Sequence, residues 1–378
     1  MLESRASVRH ERVAFFLALL AAAPLAAQEE PAPVYQEQKS FSLKVDGLLP
    51  RREWTKGLAV APDTFEDDER WRGQLRPRLE FDLEKVVLGV GGDFNYSSDE
   101  NTAGSPVLVR DNYKSRDARV DLAFARLDTG WLRLEGGRFV MPVPLTEMIW
   151  DRDLRPQGGA LTLDFNHAGR NTVRLTVLGA KGSHVFDDSE TSMLIASLGA
   201  DLQSGQKSKL ELVGSYVAFF DADQLEPMIR RQNLRVVGAP APAPLALEYR
   251  VVDLIARLRT TGNVPGMLVA EYCWNTEADE LNRGIWFALI LGSTETAAAR
   301  LEYTYASVDR DATLGAYNGD DFLWATGWDG HRVDLGFRSG KHGSVHAIGQ
   351  LQRFKDSPRG FDNDVWVKRY RVEVRIRN

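Results

Sequence analysis

The feature that most restricts the fold of this chain is a long series of short runs, from Ser40 onward, in which apolar and polar residues alternate. Residues 173–177 read Val-Arg-Leu-Thr-Val, and residues 371–376 alternate in the same way. A period of two places all the apolar side chains of a strand on one face. Because about sixteen such runs follow one another, an even number as a ring of hairpins needs, we predict an all-β fold.

The links between these runs alternate between short and long. Tight turns rich in Gly, Asp and Ser, such as Asp128-Thr129-Gly130, join one end of successive runs. The other end has mostly long links, with Thr276 to Asp279 as the short exception: Asp46 to Arg70, Ser97 to Arg116, Met141 to Gln157, Lys181 to Glu190, Asp221 to Leu247, Val308 to Ala325 and Lys355 to Asp364. This alternation is typical of a transmembrane antiparallel up-and-down β-barrel with short periplasmic turns and long external loops. We expect residues 40–378 to form one such barrel.

The polar face of the predicted strands carries too many charges for a packed core. Each unpaired ion costs several kcal/mol in a dry interior, whereas a water-filled lumen hydrates it. The apolar face would meet lipid, where a sheet must close because every backbone polar group needs a partner. The residues predicted to line the pore are Arg133, Glu135, Asp164, Arg174, Arg257, Arg300 and Glu302.

Aromatic residues lie mostly near the ends of the predicted strands. Amphipathic rings prefer the headgroup level of a bilayer, so these positions are predicted to form aromatic girdles. They are Trp71, Tyr96, Trp131, Phe139, Phe219, Phe220, Trp274, Trp286 and Tyr370.

One long link, residues 141–157, is crowded with proline and with charges of both signs. We predict that it folds into the barrel as a constriction loop and narrows the pore with its charged residues, which are Glu147, Asp151, Arg152, Asp153 and Arg155. Its acidic residues would then face arginines such as Arg133, Arg152, Arg155 or Arg174 and create a transverse field. The alternative is that Asp151 and Asp153 only tie the loop to the wall through charge-assisted hydrogen bonds.

The same stretch carries a family resemblance. The run GRFVMPVPLTEMIWDRDLRPQGGALTL resembles the signature of the putative porin family of bacterial outer membranes, most specifically at Trp150, Asp151, Asp153, Leu154, Gly158 and Gly159. The strand end before the loop is also similar, more weakly, to phosphate-selective porins. The resemblance implies a channel for passive diffusion of small hydrophilic solutes or ions across the outer membrane, in contact with its lipid, and allows a homotrimer. It also implies that the third external loop sets the constriction, and residues 141–157 are the third long link.

The N-terminus reads as an export signal. Arginines precede an apolar run at residues 13–20, and small residues follow at 21–27, which predicts a secretory signal peptide over residues 1–27. A membrane anchor is the competing interpretation, but the apolar run is too short to span a bilayer. Residues 28–39 would be a short polar leader.

The remaining sequence features argue against other classes of protein. The formal charge of −6 argues against a nucleic-acid partner, and a single cysteine, Cys273, rules out an internal disulfide. No phosphate-binding loop, dinucleotide fingerprint or metal-spaced cluster is present, so no cofactor is expected. Ser344 and His346 could belong to a hydrolase, but no acid partner is evident, and no enzyme activity is expected. The acidic pairs Asp320-Asp321 and Asp362-Asp364 could bind calcium, although neither has EF-hand spacing.

Two functions from different classes follow from these patterns. The first is a porin that forms a water-filled channel in the outer membrane. The alternative is a secreted soluble β-rich protein that binds a ligand or carbohydrate, because the strands of a soluble sandwich also alternate.

Overall fold

The computed structural model describes residues 39–377 except 62–63, 99–111, 113, 168–170, 183, 185–190, 206, 227–228, 231–232, 240–242, 323–324 and 356–364. The described residues form sixteen strands: β1 (Lys39–Ala61), β2 (Thr64–Leu83), β3 (Val86–Ser97), β4 (Asp117–Asp128), β5 (Leu132–Arg138), β6 (Gln157–His167), β7 (Asn171–Lys181), β8 (Ser192–Ser204), β9 (Ser208–Phe220), β10 (Tyr249–Thr260), β11 (Gly266–Asn275), β12 (Arg283–Gly292), β13 (Ala299–Val308), β14 (Trp328–Arg338), β15 (Gly343–Phe354) and β16 (Val367–Arg377). A single turn of 3-10 helix, Ala222–Gln224, precedes β10. The predicted signal peptide and leader lie outside the described residues, apart from Lys39.

The sheet closes on itself. Each strand pairs antiparallel with its neighbours in sequence, and β1 pairs with both β2 and β16. At the seam, where β1 meets β16 and closes the barrel, Trp54 of β1 lies opposite Tyr370 of β16. On its other side Trp54 lies opposite Glu69 of β2. Closure leaves no strand edge with unpaired backbone groups over this region, which is the condition for a sheet to reside in lipid. The predicted up-and-down barrel is confirmed.

The two faces of the wall differ as the alternation predicts. On β10, Leu254 is 42% exposed, whereas the adjacent Asp253 is fully buried. On β14, Val333 and Leu335 are exposed and Asp334 between them is buried. The outer face is therefore apolar and the inner face carries the charges. Among the described residues, no helix is long and apolar enough to cross a membrane.

The prediction of a long link from Asp46 to Arg70 was wrong. Most of it belongs to β1 and β2, which pair there, with Glu53 opposite Arg70 and Arg52 opposite Trp71. The stretch looked like a loop because it is charged on both faces. Its inward charges are stabilised by partners on β2 and β16 that local sequence does not indicate.

The predicted aromatic girdles are partly wrong. Trp131 and Tyr96 are more than half exposed on the outer surface, as expected, but Phe139, Phe219 and Trp286 are buried inside the barrel. Strand alternation places Phe219 and Trp286 on the inner face, where loops cover them. The single cysteine, Cys273, is a buried inward-facing residue of β11.

The inside-out arrangement of the wall can be tested at Leu254, near the middle of β10. We expect Leu254→Arg to reduce the free energy of unfolding by about 2–4 kcal/mol, because the guanidinium would enter the hydrocarbon region. Leu254→Met keeps an apolar side chain and should change it by less than about 1.5 kcal/mol. The measurement is urea unfolding in lipid vesicles, followed by the shift in gel mobility between folded and unfolded barrel. Equal stability of the arginine and methionine variants would contradict a lipid-facing Leu254.

Candidate functional site

The β5–β6 loop (residues 139–156) has an apolar side that packs against the inner wall. Six of its side chains are almost completely buried: Phe139, Val143, Met148, Ile149, Trp150 and Leu154. They form one hydrophobic cluster with inward-facing residues of β7 to β11, including Leu178, Ile195 and Val217. The loop is therefore attached to one side of the lumen by the hydrophobic effect.

Two close contacts define how this side of the loop is held. A Cβ atom on Gly284 of β12 would lie 2.7 Å from the Met148 sulfur, so the absence of a side chain at Gly284 leaves the space that Met148 occupies. Trp150 stacks on Tyr317 with 5.5 Å between ring centroids, and Tyr317 stacks in turn on Phe219 of β9 at 5.2 Å. Tyr317 belongs to the β13–β14 loop (residues 309–327), so two loops pack together inside the barrel.

The charged side of the β5–β6 loop contacts other strands. Asp153 accepts hydrogen bonds from Arg76 at 2.7 Å and Arg72 at 3.4 Å, both on β2. Glu147 accepts one from Arg332 of β14 at 3.0 Å. Arg155 donates to Asp121 of β4 at 3.1 Å. These contacts reach strands on either side of the seam between β1 and β16.

Arg152 is also on the charged side of the β5–β6 loop, and it pairs with the β13–β14 loop. Its guanidinium lies 3.2 Å from Asp321, which also pairs with Arg332 at 3.2 Å and Arg371 of β16 at 2.8 Å. Burial alone would raise the pKa of Asp321, but Arg371, Arg152 and Arg332 hold that pKa well below its usual range. Asp321 is thus a fixed negative charge among arginines.

Asp151 is buried and has a different role in the geometry. Its carboxylate accepts hydrogen bonds from the Asn112 amide at 2.5 Å, the Asp320 backbone N–H at 3.1 Å and the Asp153 backbone N–H at 2.7 Å. Its own backbone N–H donates to the Tyr317 carbonyl at 2.7 Å. Asp151 therefore joins the two loops.

The pKa values of the acidic residues of the site are shifted in opposite directions. Burial raises the pKa of Asp151 well above its usual range, with the charges of Asp320 and Asp153 adding to the effect. Burial also raises the pKa of Glu147, and the negative charge of Asp321 contributes. Asp153 behaves in the opposite way, because Arg76, Arg72 and Arg152 outweigh its burial and lower its pKa.

Asp151, Asp153 and Asp320 bring carboxylate oxygens within 4.8 Å of one another. Arg72 lies 3.4 Å from Asp153 and 3.7 Å from Asp320, so arginine already supplies the positive charge that this cluster needs. The expectation of calcium at Asp320-Asp321 stays a prediction, and Asp362-Asp364 lies outside the described residues.

A cavity of about 360 Å³ lies between the two loops and the seam side of the wall. Its lining is almost entirely charged, with six arginines and five carboxylates: Arg51, Arg72, Arg76, Arg152, Arg155 and Arg375, and Glu147, Asp151, Asp153, Asp320 and Asp321. All five predicted constriction residues are in this set. The carboxylates come from the loops, and four of the arginines come from the strands β1, β2 and β16.

The residues predicted to line the pore are distributed along the wall, mostly as pairs. Arg174 bonds to Asp164 at 2.7 Å on the neighbouring strand, and Arg300 bonds to Asp334 at 3.2 Å. Arg257 donates to the Pro144 carbonyl of the β5–β6 loop at 2.5 Å. The others are Glu302, which pairs with Arg332, and Arg133 and Glu135, which are half-buried on β5.

The expectation that Arg133 and Arg174 face the acidic residues of the loop was wrong. Arg133 pairs with Asp128 at 3.0 Å and Arg174 with Asp164, both near the short-turn ends of their strands. Arg133 lies six residues before the loop begins, which corresponds to roughly 20 Å along a strand. The arginines that pair with the acidic residues of the loop are instead Arg72, Arg76 and Arg332.

Sequence reasoning also missed a buried ion cluster at the seam, which we call the seam cluster. The Glu53 carboxylate lies 2.7 Å from Arg51, 2.9 Å from Arg70 and 2.8 Å from Arg369, and all four side chains are almost completely buried. On β16 the alternation indicates it, because Arg369, Arg371, Glu373 and Arg375 occupy every second position. On β1 the inward Arg51, Glu53 and Thr55 also alternate, but Arg52 and Lys56 on the other face obscure the pattern.

Comparisons with solved structures identify similar folds. OprB of Pseudomonas putida has a TM-score of 0.61 at 13% sequence identity, covering 89% of this chain and 94% of that one. Two variants of the porin of Rhodopseudomonas blastica have TM-scores of 0.50 at 10% identity, covering 90% of this chain and 100% of theirs. At such identities the likeness concerns the fold. A comparison with curated proteins found no match.

A comparison of the sequence with protein families also identifies porins. The family described as putative porin matches residues 49–235, a stretch that includes β2 to β9 and the whole β5–β6 loop. The resemblance found in the sequence is thus confirmed, and family and fold point to a channel of the bacterial outer membrane rather than to an enzyme. The match to the putative porin family therefore extends over residues 49–235, just under half of the chain.

Proposed function

We propose that the protein is an outer-membrane porin that lets small hydrophilic solutes diffuse through a water-filled channel narrowed by the β5–β6 loop. The observation that carries this proposal is the charged cavity beside the loop, with its five carboxylates on the two loops and four of its six arginines on the wall. Such opposed charges create a transverse field, which orients polar solutes and disfavours apolar ones. The exposed apolar outer face argues against the soluble alternative.

In this proposal the constriction residues have two roles. Glu147, Arg152 and Asp153 line the passage and set its field, while Asp151 mainly holds the two loops together. Arg155 is paired with Asp121 and helps to attach the loop to the wall. Residues 1–27 would direct export, and assembly into a homotrimer is part of the proposal.

Asp153 offers the most direct test of the constriction. Asp153→Asn removes a carboxylate opposite Arg72 and Arg76, which should shift the channel toward anions. One charge at about 4 Å in a wet site contributes about 1 kcal/mol, so we expect roughly a five-fold change in the cation-to-anion permeability ratio. The measurement is the reversal potential of single channels in a salt gradient.

Asp164→Asn is the matched control for that experiment. Asp164 also pairs with an arginine at 2.7 Å, but it lies near the short-turn end of β6, away from the loop. Its substitution should leave the permeability ratio almost unchanged. Equal shifts in the two variants would contradict a constriction at Asp153, and refolded protein without channel current would contradict the porin function itself.

The pH dependence of selectivity should follow Glu147. Its raised pKa means that acidification neutralises it before Asp153 and Asp321, whose pKa values are lowered. As the pH falls, the passage should therefore lose the negative charge of Glu147 first and become more anion-selective. Glu147→Gln should reduce this change, and Asp151, whose pKa is also raised, accounts for the rest. A pH response of the same size in wild type and Glu147→Gln would exclude Glu147 as its source.

The attachment of the loop can be tested at Gly284. A valine there would collide with the Met148 and Cys273 sulfurs, so the loop should be displaced from the wall at a cost of about 1–3 kcal/mol. We expect larger single-channel current with more frequent fluctuation. Gly349→Val is the control, because a Cβ atom at Gly349 meets nothing within 4 Å. Unaltered current in Gly284→Val would show that the loop does not limit conduction.

A further inference from the structure

Three polar side chains on the inner wall take no part in the proposed constriction. Ser344 and His346 project inward from β15, and Asp334 projects inward from β14. All three are more than nine-tenths buried. Ser344 and His346 are two residues apart, so both share the face of the strand that points to the lumen.

The hydrogen bonds among them have a specific order. The His346 Nδ1 atom lies 2.7 Å from an Asp334 carboxylate oxygen, and its Nε2 atom lies 3.0 Å from the Ser344 hydroxyl. With the Nδ1–H donated to the carboxylate, Nε2 is left to accept the hydroxyl proton. This is the atom-by-atom arrangement that activates a serine nucleophile, on whatever fold it occurs.

Neighbouring residues hold this arrangement in place. A Cβ atom on Gly336 would lie 2.5 Å from the His346 ring, so glycine at this position makes room for the imidazole. The second Asp334 oxygen is 3.2 Å from Arg300 and 3.3 Å from Arg375. These contacts fix both the ring and the carboxylate that orients it.

An arginine, which also pairs with Asp334 and Glu373, lies on the strand next to Ser344. Arg375 of β16 is directly opposite Ser344 in the sheet register, and side chains opposite each other have Cβ atoms about 4.5–5.5 Å apart. Arg375 also lines the charged cavity, so this part of the wall borders that cavity. A guanidinium beside the nucleophile can stabilise the charge that develops on a carbonyl oxygen.

We propose that Ser344, His346 and Asp334 form a nucleophilic triad that hydrolyses small carboxylic esters inside the barrel. The Ser344 oxygen bonds to the ester carbonyl carbon while His346 takes the hydroxyl proton. The bond from that carbon to the leaving oxygen then breaks, and His346 returns the proton to the leaving alcohol. Water attacks the acyl-serine, gives a proton to His346, and releases the carboxylic acid as the serine hydroxyl is restored. Asp334 is a positioning residue for the imidazole.

The first experiment uses the full chain refolded in detergent micelles, with p-nitrophenyl acetate as substrate and a fluorophosphonate as covalent probe. We expect turnover above the buffer rate and labelling of Ser344, located by peptide mass spectrometry. Ser344→Ala should lose the labelling and about 10³-fold of the turnover or fall to the buffer rate. Ser215→Ala is the control, because Ser215 is an equally buried lumen serine whose hydroxyl bonds only to Ser197 among its described contacts.

A second pair of variants tests whether His346 activates position 344. In Ser344→Cys the imidazole should promote thiolate formation, so iodoacetamide should alkylate this thiol faster than it does in Ser344→Cys/His346→Gln. The native Cys273 is buried and serves as the internal unreactive thiol. A purely structural hydrogen-bond network would not produce this difference.

Failure of the proposed triad can be distinguished from failure of the proposed porin function. Single-channel current of Ser344→Ala should equal that of wild type, because Ser344 is not part of the constriction. Absence of Ser344 labelling, or ester turnover equal in wild type and Ser344→Ala, would overturn the triad while leaving the porin intact. Wild-type protein that carries no channel current but is still labelled at Ser344 would overturn the porin function and leave the triad intact.

Discussion

The constraint on which the structure depends is that a β-sheet in lipid can leave no backbone amide or carbonyl unpaired. Pairing of β1 with β16 satisfies it by turning an open sheet into a ring. Once the ring is closed, strand alternation assigns every side chain to lipid or to the lumen. Leucines and valines that would form the core of a soluble protein lie outside, and the charged residues lie within.

Closure places an unusual number of charges at the seam. Glu53 is surrounded by Arg51, Arg70 and Arg369, contributed by β1, β2 and β16. Burying such ions is costly unless each has partners, and the closed register supplies them. The seam cluster therefore forms only when β1 pairs with β16, and it makes this side of the lumen rich in arginine.

The inner wall of the barrel has an apolar side and an arginine-rich side. The inner faces of β7 to β11 carry apolar residues such as Leu178, Ile195 and Val217, which the β5–β6 loop covers with its own apolar side. The loop's charged side is left to face the arginines of the seam. An amphipathic loop on an amphipathic inner wall thus leaves a cavity whose carboxylates come from the loops and most of whose arginines come from the wall. The Trp150–Tyr317–Phe219 stack couples the loop to the β13–β14 loop, and residues of both loops line the charged cavity.

The sequence by itself determined the local pattern: which runs are strands, which faces are apolar, how connection lengths alternate, and which loop carries the concentrated charge. These depend on neighbours one or two residues apart, so periodicity reveals them. It failed at β1 and the start of β2, where charges on both faces obscured the alternation. It also placed Phe219 and Trp286 in a lipid girdle, although their register on β9 and β12 turns them inward.

Only the tertiary structure decided which distant residues meet. The pairing of Asp153 with Arg76, of Asp321 with Arg371, and of His346 with Asp334 depends on strand register and on how far each loop reaches across the lumen. Those separations range from 12 to 77 residues along the chain. Closure of the ring sets such distances, and it is a property of all sixteen strands together rather than of any one segment.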